Sequence, residues 1–126
     1  MERRKEIISE YNKMCDSLGI AYLNHYGVNH SSSGHLYITR IPDITEETRN
    51  SIINKMAERG ITCNVHYKPL PLLTAYKNLG FDIKNYPNAY DFFANEITLP
   101  LHTQLTDEEV AFVIENYIDI VKEYFK

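Results

Sequence analysis

The chain has 126 residues, enough for one domain with a core of its own, and a chain of this size buries roughly two-thirds of its unfolded surface. Hydrophobic residues make up 44% and charged residues 24%, ordinary for a soluble globular protein, and the formal net charge of -4 excludes a basic face for a nucleic-acid duplex. No apolar run is long enough to cross a membrane, and residues 1–6 lack the apolar centre of a signal peptide, so a cytoplasmic protein with no membrane partner is expected.

Residues 2–18 read as a helix, with Ile7, Tyr11, Met14 and Leu18 in one stripe and Gly19 just past the cap. Nothing precedes this helix to bury its stripe, and Arg3, Arg4 and Lys5 sit at the positive end of its dipole, as expected of a piece cut from a longer chain. Residues 20–34 are irregular and end in a polar loop. A first strand follows at 35–41 and is stopped by Pro42-Asp43. Thr45 is the N-cap of a second helix, with Glu46 and Glu47 in its first turn and Ile52, Ile53 and Met56 as its apolar face. That helix ends at Gly60.

Residues 61–67 alternate as a second strand, with Ile61, Cys63, Val65 and Tyr67 on one face and Thr62, Asn64 and His66 on the other. Lys68-Pro69-Leu70-Pro71 stops it, because neither proline donates a ladder hydrogen bond and each restricts the residue before it. The strand therefore delivers an imidazole, a phenol and an ammonium together, from His66, Tyr67 and Lys68, on a stiff turn. The same residues also fit an ordinary strand–loop junction with a snorkelling lysine.

Leu72, Leu73, Tyr76 and Leu79 space out a short helix that ends at Gly80, with Phe81 folding back as the apolar contact of the cap. Pro87 opens another short helix over 87–94, carrying Tyr90, Phe92 and Phe93. Residues 96–102 are a third strand, with Ile97, Leu99 and Leu101 inward and Pro100 tolerated only where its missing donor is not needed. Thr106-Asp107-Glu108-Glu109 is a capping box that opens a long last helix, with Val110, Val113, Ile114, Tyr117, Val121 and Tyr124 on one side.

This order predicts an α+β fold. A right-handed crossover from the first strand to the second leaves room for the third to pair between them, antiparallel. The result is a three-stranded antiparallel sheet of the split β-α-β kind, with helices packed mainly on one face. No repeat or linker divides the chain, so residues 1–126 are expected to form a single domain.

Candidate chemistry is sparse. His25, His30, His35, His66 and His102 show no metal-ligand spacing, and Cys15 and Cys63 fall in patterns that bury them as reduced thiols. There is no Gly-rich phosphate loop, serine elbow or paired-carboxylate motif. Tyr37 and Tyr67 lack the basic neighbours of an RNA-binding sheet. The residues alone thus predict a compact domain with one polar cluster, no metal and no nucleic acid.

Several stretches taken in order resemble one family. Arg3-Arg4-Lys5-Glu6-Ile7 looks like a helix leaving a large domain, and Ser33-Gly34-His35-Leu36-Tyr37 is similar to a Ser-x-His-Leu-Tyr strand. Residues 59–70 closely resemble a Gly-Ile-x-x-x-x-His-Tyr-x-Pro-Leu signature. Tyr76-Lys77-Asn78-Leu79-Gly80, Pro87-Asn88-Ala89-Tyr90, Leu99-Pro100-Leu101-His102 and Leu105-Thr106-Asp107-Glu108-Glu109-Val110 complete the pattern. The chain resembles the carboxyl-terminal small domain of the DegT/StrS family of pyridoxal-phosphate sugar-nucleotide aminotransferases, of fold type I. Family members often carry a His two residues after the motif proline, where this chain has Pro71, so that residue's role does not carry over.

The resemblance implies a parent that moves an amino group from an amino acid, glutamate in the first instance, to a keto-sugar nucleotide for surface-polysaccharide, lipopolysaccharide or glycoconjugate synthesis. It implies a large domain, outside this chain, that carries the Schiff-base lysine and the cofactor's anchors, and a homodimer. None of the eight lysines here lies in a motif resembling the catalytic one. No catalytic or cofactor-binding residue is therefore assigned within the chain, pyridoxal phosphate belongs to the full-length parent, and the isolated chain is expected to be inactive. Sugar-nucleotide contacts fall to His66 and Tyr67, with Lys68 neutralising a phosphate and His35 as a further candidate. The rival expectations are a stand-alone, non-catalytic binding module and a regulatory member of the same family.

Overall fold

The computed structural model describes residues 2–125. Helix α1 (Glu2–Leu18) ends at Gly19, whose φ of 70° lets the Ile20 N–H reach back to the Cys15 carbonyl at 3.0 Å. Its stripe is buried by elements that follow it: Ile7, Ile8, Tyr11, Met14 and Cys15 all join the core, and the Tyr11 hydroxyl donates to the Pro100 carbonyl at 2.7 Å. The basic first turn also finds a partner. Arg3 donates to the Leu105 carbonyl through Nε and Nη2 (3.1 and 2.7 Å) and to Asp107 through Nη1 at 2.7 Å, tying the start of α1 to the start of the last helix.

A two-residue strand not expected from the sequence, β1 (Ala21–Tyr22), comes next. Strand β2 (Tyr37–Arg40) is shorter than the alternation predicts. Helix α2 (Glu46–Glu58) starts where Thr45 accepts the Thr48 N–H at 3.1 Å. It ends in a paired cap: Gly60, at φ 82°, donates to Ala57, and Ile61 donates to Met56. That cap lays buried Ile61 against buried Met56. After a 3-10 turn at Leu70–Leu72 come α3 (Thr74–Asn78), a second turn at Ile83–Asn85, and α4 (Pro87–Ala94). Strand β3 (Glu96–Leu99) and helix α5 (Asp107–Lys122) complete the chain, the latter with the full Thr106/Glu109 capping box.

The fold is α+β, with a three-stranded antiparallel sheet in the order β1-β2-β3. Its membership corrects the expectation for 61–67, which is not a ladder strand. That segment lies along the free edge of β3, on the side the crossover requires, but it makes only one bridge, Asn64 with Thr98, through bonds of 3.1 and 2.8 Å. Ladder bonds recur at every second residue. On one side the next pair would be Thr62 with Pro100, and Pro100 has no N–H to give. On the other it would be His66 with Glu96, and there the His66 N–H goes to the Glu96 side chain, at 2.9 Å from Oε2.

Register sorts the residues by face. Tyr37 pairs with Leu99 and Thr39 with Ile97, and these four point to the inner face under α1, α2 and α5. Ile38 pairs with Thr98 and Arg40 with Glu96 on the outer face. The alternation puts Ile97 and Leu99 in the core, as expected, but Glu96 and Thr98 are buried as well.

A buried acid and a half-buried imidazole on the outer face

The candidate site grows from the single bridge. Because Asn64 pairs with Thr98, the chain two residues on brings His66 beside Glu96, on the same outer face. Three bonds then fix His66. Its backbone N–H donates to Glu96 Oε2 at 2.9 Å, its Nδ1 lies 2.8 Å from Thr98 Oγ1, and Thr98 Oγ1 donates to Glu96 Oε1 at 2.5 Å. His66 itself is half-buried, and among the described residues Nε2 has no protein partner.

Glu96 is fully buried, and burial pushes its carboxyl above the usual range; the hydrogen bonds from Thr98 and the His66 backbone, with the nearby charges, pull the other way. One of those charges is Arg49 on α2, a guanidinium that is 2% exposed. It donates to the Phe93 carbonyl at 2.5 Å and to Asn50 at 2.8 Å, and lies 4.5 Å over the Phe93 ring. Burial lowers its proton affinity while Glu46 and Glu96 oppose that shift. Glu96 is therefore a buried acid on the outer face, with the Arg49 charge near enough to act on it and the half-buried imidazole beside it.

Of the four residues singled out from the sequence, the structure brings three together. His66 and Tyr67 meet edge to face at 4.7 Å, and Tyr67 is 74% exposed. Lys68 is exposed on the same turn. His35 is exposed just before the other end of β2, five residues from the Arg40 that pairs with Glu96 and so roughly 16 Å away along the chain at ~3.3 Å per residue. Beyond the turn, Pro69, Leu70, Pro71, Tyr76, Phe81 and Tyr86 line an apolar groove of about 340 Å³. Of the ten large apolar side chains exposed among the described residues, seven lie between Tyr67 and Tyr90, so this groove is part of a broader apolar surface.

Sequence reasoning missed Glu96, Thr98 and Arg49. Arg49 left a trace, since 49, 52, 53 and 56 are one helical stripe, and a charge within an apolar stripe points to a buried, partnered group. Glu96 and Thr98 left less, because outward positions of a half-covered strand are ordinarily polar. No group of residues suited to a metal ion is present among those described, and no described helix is long and apolar enough to cross a membrane.

Comparison with known proteins gives the site a context. The sequence profile of the DegT/DnrJ/EryC1/StrS aminotransferase family matches residues 1–117. A Streptococcus pneumoniae protein assigned as a sugar aminotransferase, solved in its PLP form, superposes with a TM-score of 0.94 at 53% identity over 99% of this chain and 32% of its own. A UDP-4-amino-4,6-dideoxy-N-acetyl-beta-L-altrosamine transaminase of Helicobacter pylori is 27% identical over 98% of this chain and 33% of its own length. A dTDP-4-dehydro-2,3,6-trideoxy-D-glucose 4-aminotransferase of Saccharopolyspora spinosa is 29% identical over 98% of this chain and 31% of its own. The chain thus spans about a third of the length of the curated relatives it matches.

Proposed function

This chain belongs to the DegT/DnrJ/EryC1/StrS aminotransferase family, and from that premise we propose that it is the carboxyl-terminal small domain of a longer cytoplasmic aminotransferase. That enzyme transfers an amino group from an amino acid, glutamate being the favoured donor, to a keto-sugar nucleotide for polysaccharide or glycoconjugate synthesis. The observation that carries the reading is the locked His66 imidazole, with Tyr67 and Lys68 on the same turn and an apolar groove beside them, in a chain matched by sugar aminotransferases.

Pyridoxal phosphate, when bound, supplies the electron sink for amino transfer. The lysines described in this chain do not fit the group that would hold it. All but Lys55 are exposed, and Lys55 is paired with Glu123 at 2.6 Å and lies over the Tyr124 ring. A lysine that bonds a carbonyl cofactor needs an enclosed setting that lowers its proton affinity. The cofactor is accordingly assigned to the remaining two-thirds of the longer protein.

This chain's own contribution is binding and orientation. His66 and Tyr67 offer hydrogen bonds to the sugar nucleotide, and Lys68 offers charge to its phosphates. His35 belongs to the same site only if the ligand extends the length of β2. The apolar surface between Tyr67 and Tyr90 is where the cofactor-binding domain of the longer protein packs, and a second subunit completes a homodimer.

The test is direct. The full-length protein, loaded with pyridoxal phosphate, should convert its cofactor to the amine form with glutamate and be returned by a 4-keto nucleoside-diphosphate sugar, followed by cofactor absorbance. A gene that encodes only these residues, or a full-length protein inert to both reactants, would support the binding-module or regulatory reading.

A further inference from the structure

We infer that Glu96 and Thr98 are positioning residues that fix His66 as the tautomer with its hydrogen on Nδ1, so that Nε2 faces the ligand as a hydrogen-bond acceptor. The inference rests on the reading that His66 faces the ligand, but the hydrogen count behind it depends on this chain alone.

A threonine hydroxyl has one hydrogen and can also accept. An ionised Glu96 has none to give, so the 2.5 Å contact takes the Thr98 hydrogen to Oε1. Oγ1 of Thr98 can then only accept from the imidazole at 2.8 Å, and the hydrogen on the ring must sit on Nδ1. A neutral imidazole has a single N–H, so Nε2 is left with its lone pair outward. The other Glu96 oxygen is occupied by the His66 backbone N–H, which prevents the carboxylate from turning to a second arrangement.

The placement also argues for orientation rather than bulk stability. A buried carboxylate is costly where an apolar side chain would fill the same space. Here its hydrogen bonds end on an imidazole whose far nitrogen is unpartnered among the described residues. The ligand group that meets an acceptor at this point is a hydroxyl, as a sugar ring supplies.

The experiment is nitrogen NMR of the full chain labelled with 15N-histidine, at a pH where the imidazole is neutral and Glu96 ionised, with the His66 signals identified by their loss in His66→Ala. Nδ1 should resonate as a protonated nitrogen and Nε2 as a bare one. Thr98→Ser keeps the hydroxyl and should leave that pattern unchanged. Thr98→Val removes the acceptor, and the two signals should shift towards the opposite tautomer. Glu96→Gln should invert them outright: its carbonyl takes the His66 N–H, its amide donates to Thr98, and the Thr98 hydrogen turns to Nδ1. A hydrogen on Nε2 in the unsubstituted chain would overturn the inference, as would an unchanged pattern in folded Glu96→Gln. If Thr98→Val fails to fold, those two measurements still decide. No ligand or cofactor is needed, so failure here is separate from failure of the aminotransferase reading.

Discussion

The two faces of the β2–β3 ladder are made from alternate residues of the same eight, yet they end their polar groups differently. On the inner face the polar groups end their bonds within the protein: Thr39 donates to the Ile97 carbonyl at 2.8 Å and meets the Tyr117 hydroxyl at 2.8 Å, and the Tyr37 hydroxyl donates to Asn12 at 2.7 Å. On the outer face Glu96 and Thr98 are buried too, but their bonds run outward to His66 and stop at a nitrogen with no protein partner among the described residues. A closed network stabilises and specifies a core. An open-ended one holds a group in place for something else.

That contrast can be strained by substitution. The largest expected effect is on the inner face: Ile97→Ala, at a fully buried site, should cost about 2–5 kcal/mol in denaturant unfolding. Next, Thr39→Val leaves the buried Tyr117 hydroxyl without its partner and should cost about 1–3 kcal/mol by the same measurement. If either proves neutral, the inner face is not the stabilising one.

Acidity separates the faces from the capped helix start. Burial raises the folded-state proton affinity of Glu96 above its unfolded value, so its contribution to stability is full below the ordinary carboxylate range and is lost as pH rises through the raised folded value. Glu109 has the opposite sign: the bonds from Thr106 lower its value, so its contribution is present above the ordinary range and lost as pH falls through the lowered one. In unfolding measured across acid pH, Glu96→Gln should remove the first dependence and leave the second. The smallest effect is expected from Tyr67→Ala, whose 74% exposed ring should change stability by no more than about 0.5 kcal/mol.

Local signals were legible in the sequence and non-local ones were not. The Thr106/Glu109 box, the Gly60 and Gly80 caps and the start of α4 at Pro87 each depend on residues within one helical turn. Phe81 folds back onto Tyr76, with ring centres 6.0 Å apart, for the same reason. Residues 61–67 alternate like a strand, but whether a ladder forms is decided by Pro100 and Glu96, some thirty or more residues away in the chain. Strand β1 is two residues long, too short for any period to appear. His66 and Tyr67 stood out because two prolines follow them. What holds His66 did not, because Glu96 and Thr98 occupy positions where a polar residue is unremarkable.

The measurement that reaches the central claim most directly is single-turnover kinetics of His66→Ala in the full-length protein, followed at the cofactor for each half-reaction separately. Removing the acceptor that a bound ligand hydroxyl meets leaves that hydroxyl unpaired at a cost of about 1–3 kcal/mol, so kcat/KM for the keto-sugar nucleotide should fall roughly fivefold to a hundredfold. The half-reaction with the amino donor should be nearly unchanged. Equal losses in both half-reactions, together with a lowered Tm, would make His66 a packing residue and contradict the account.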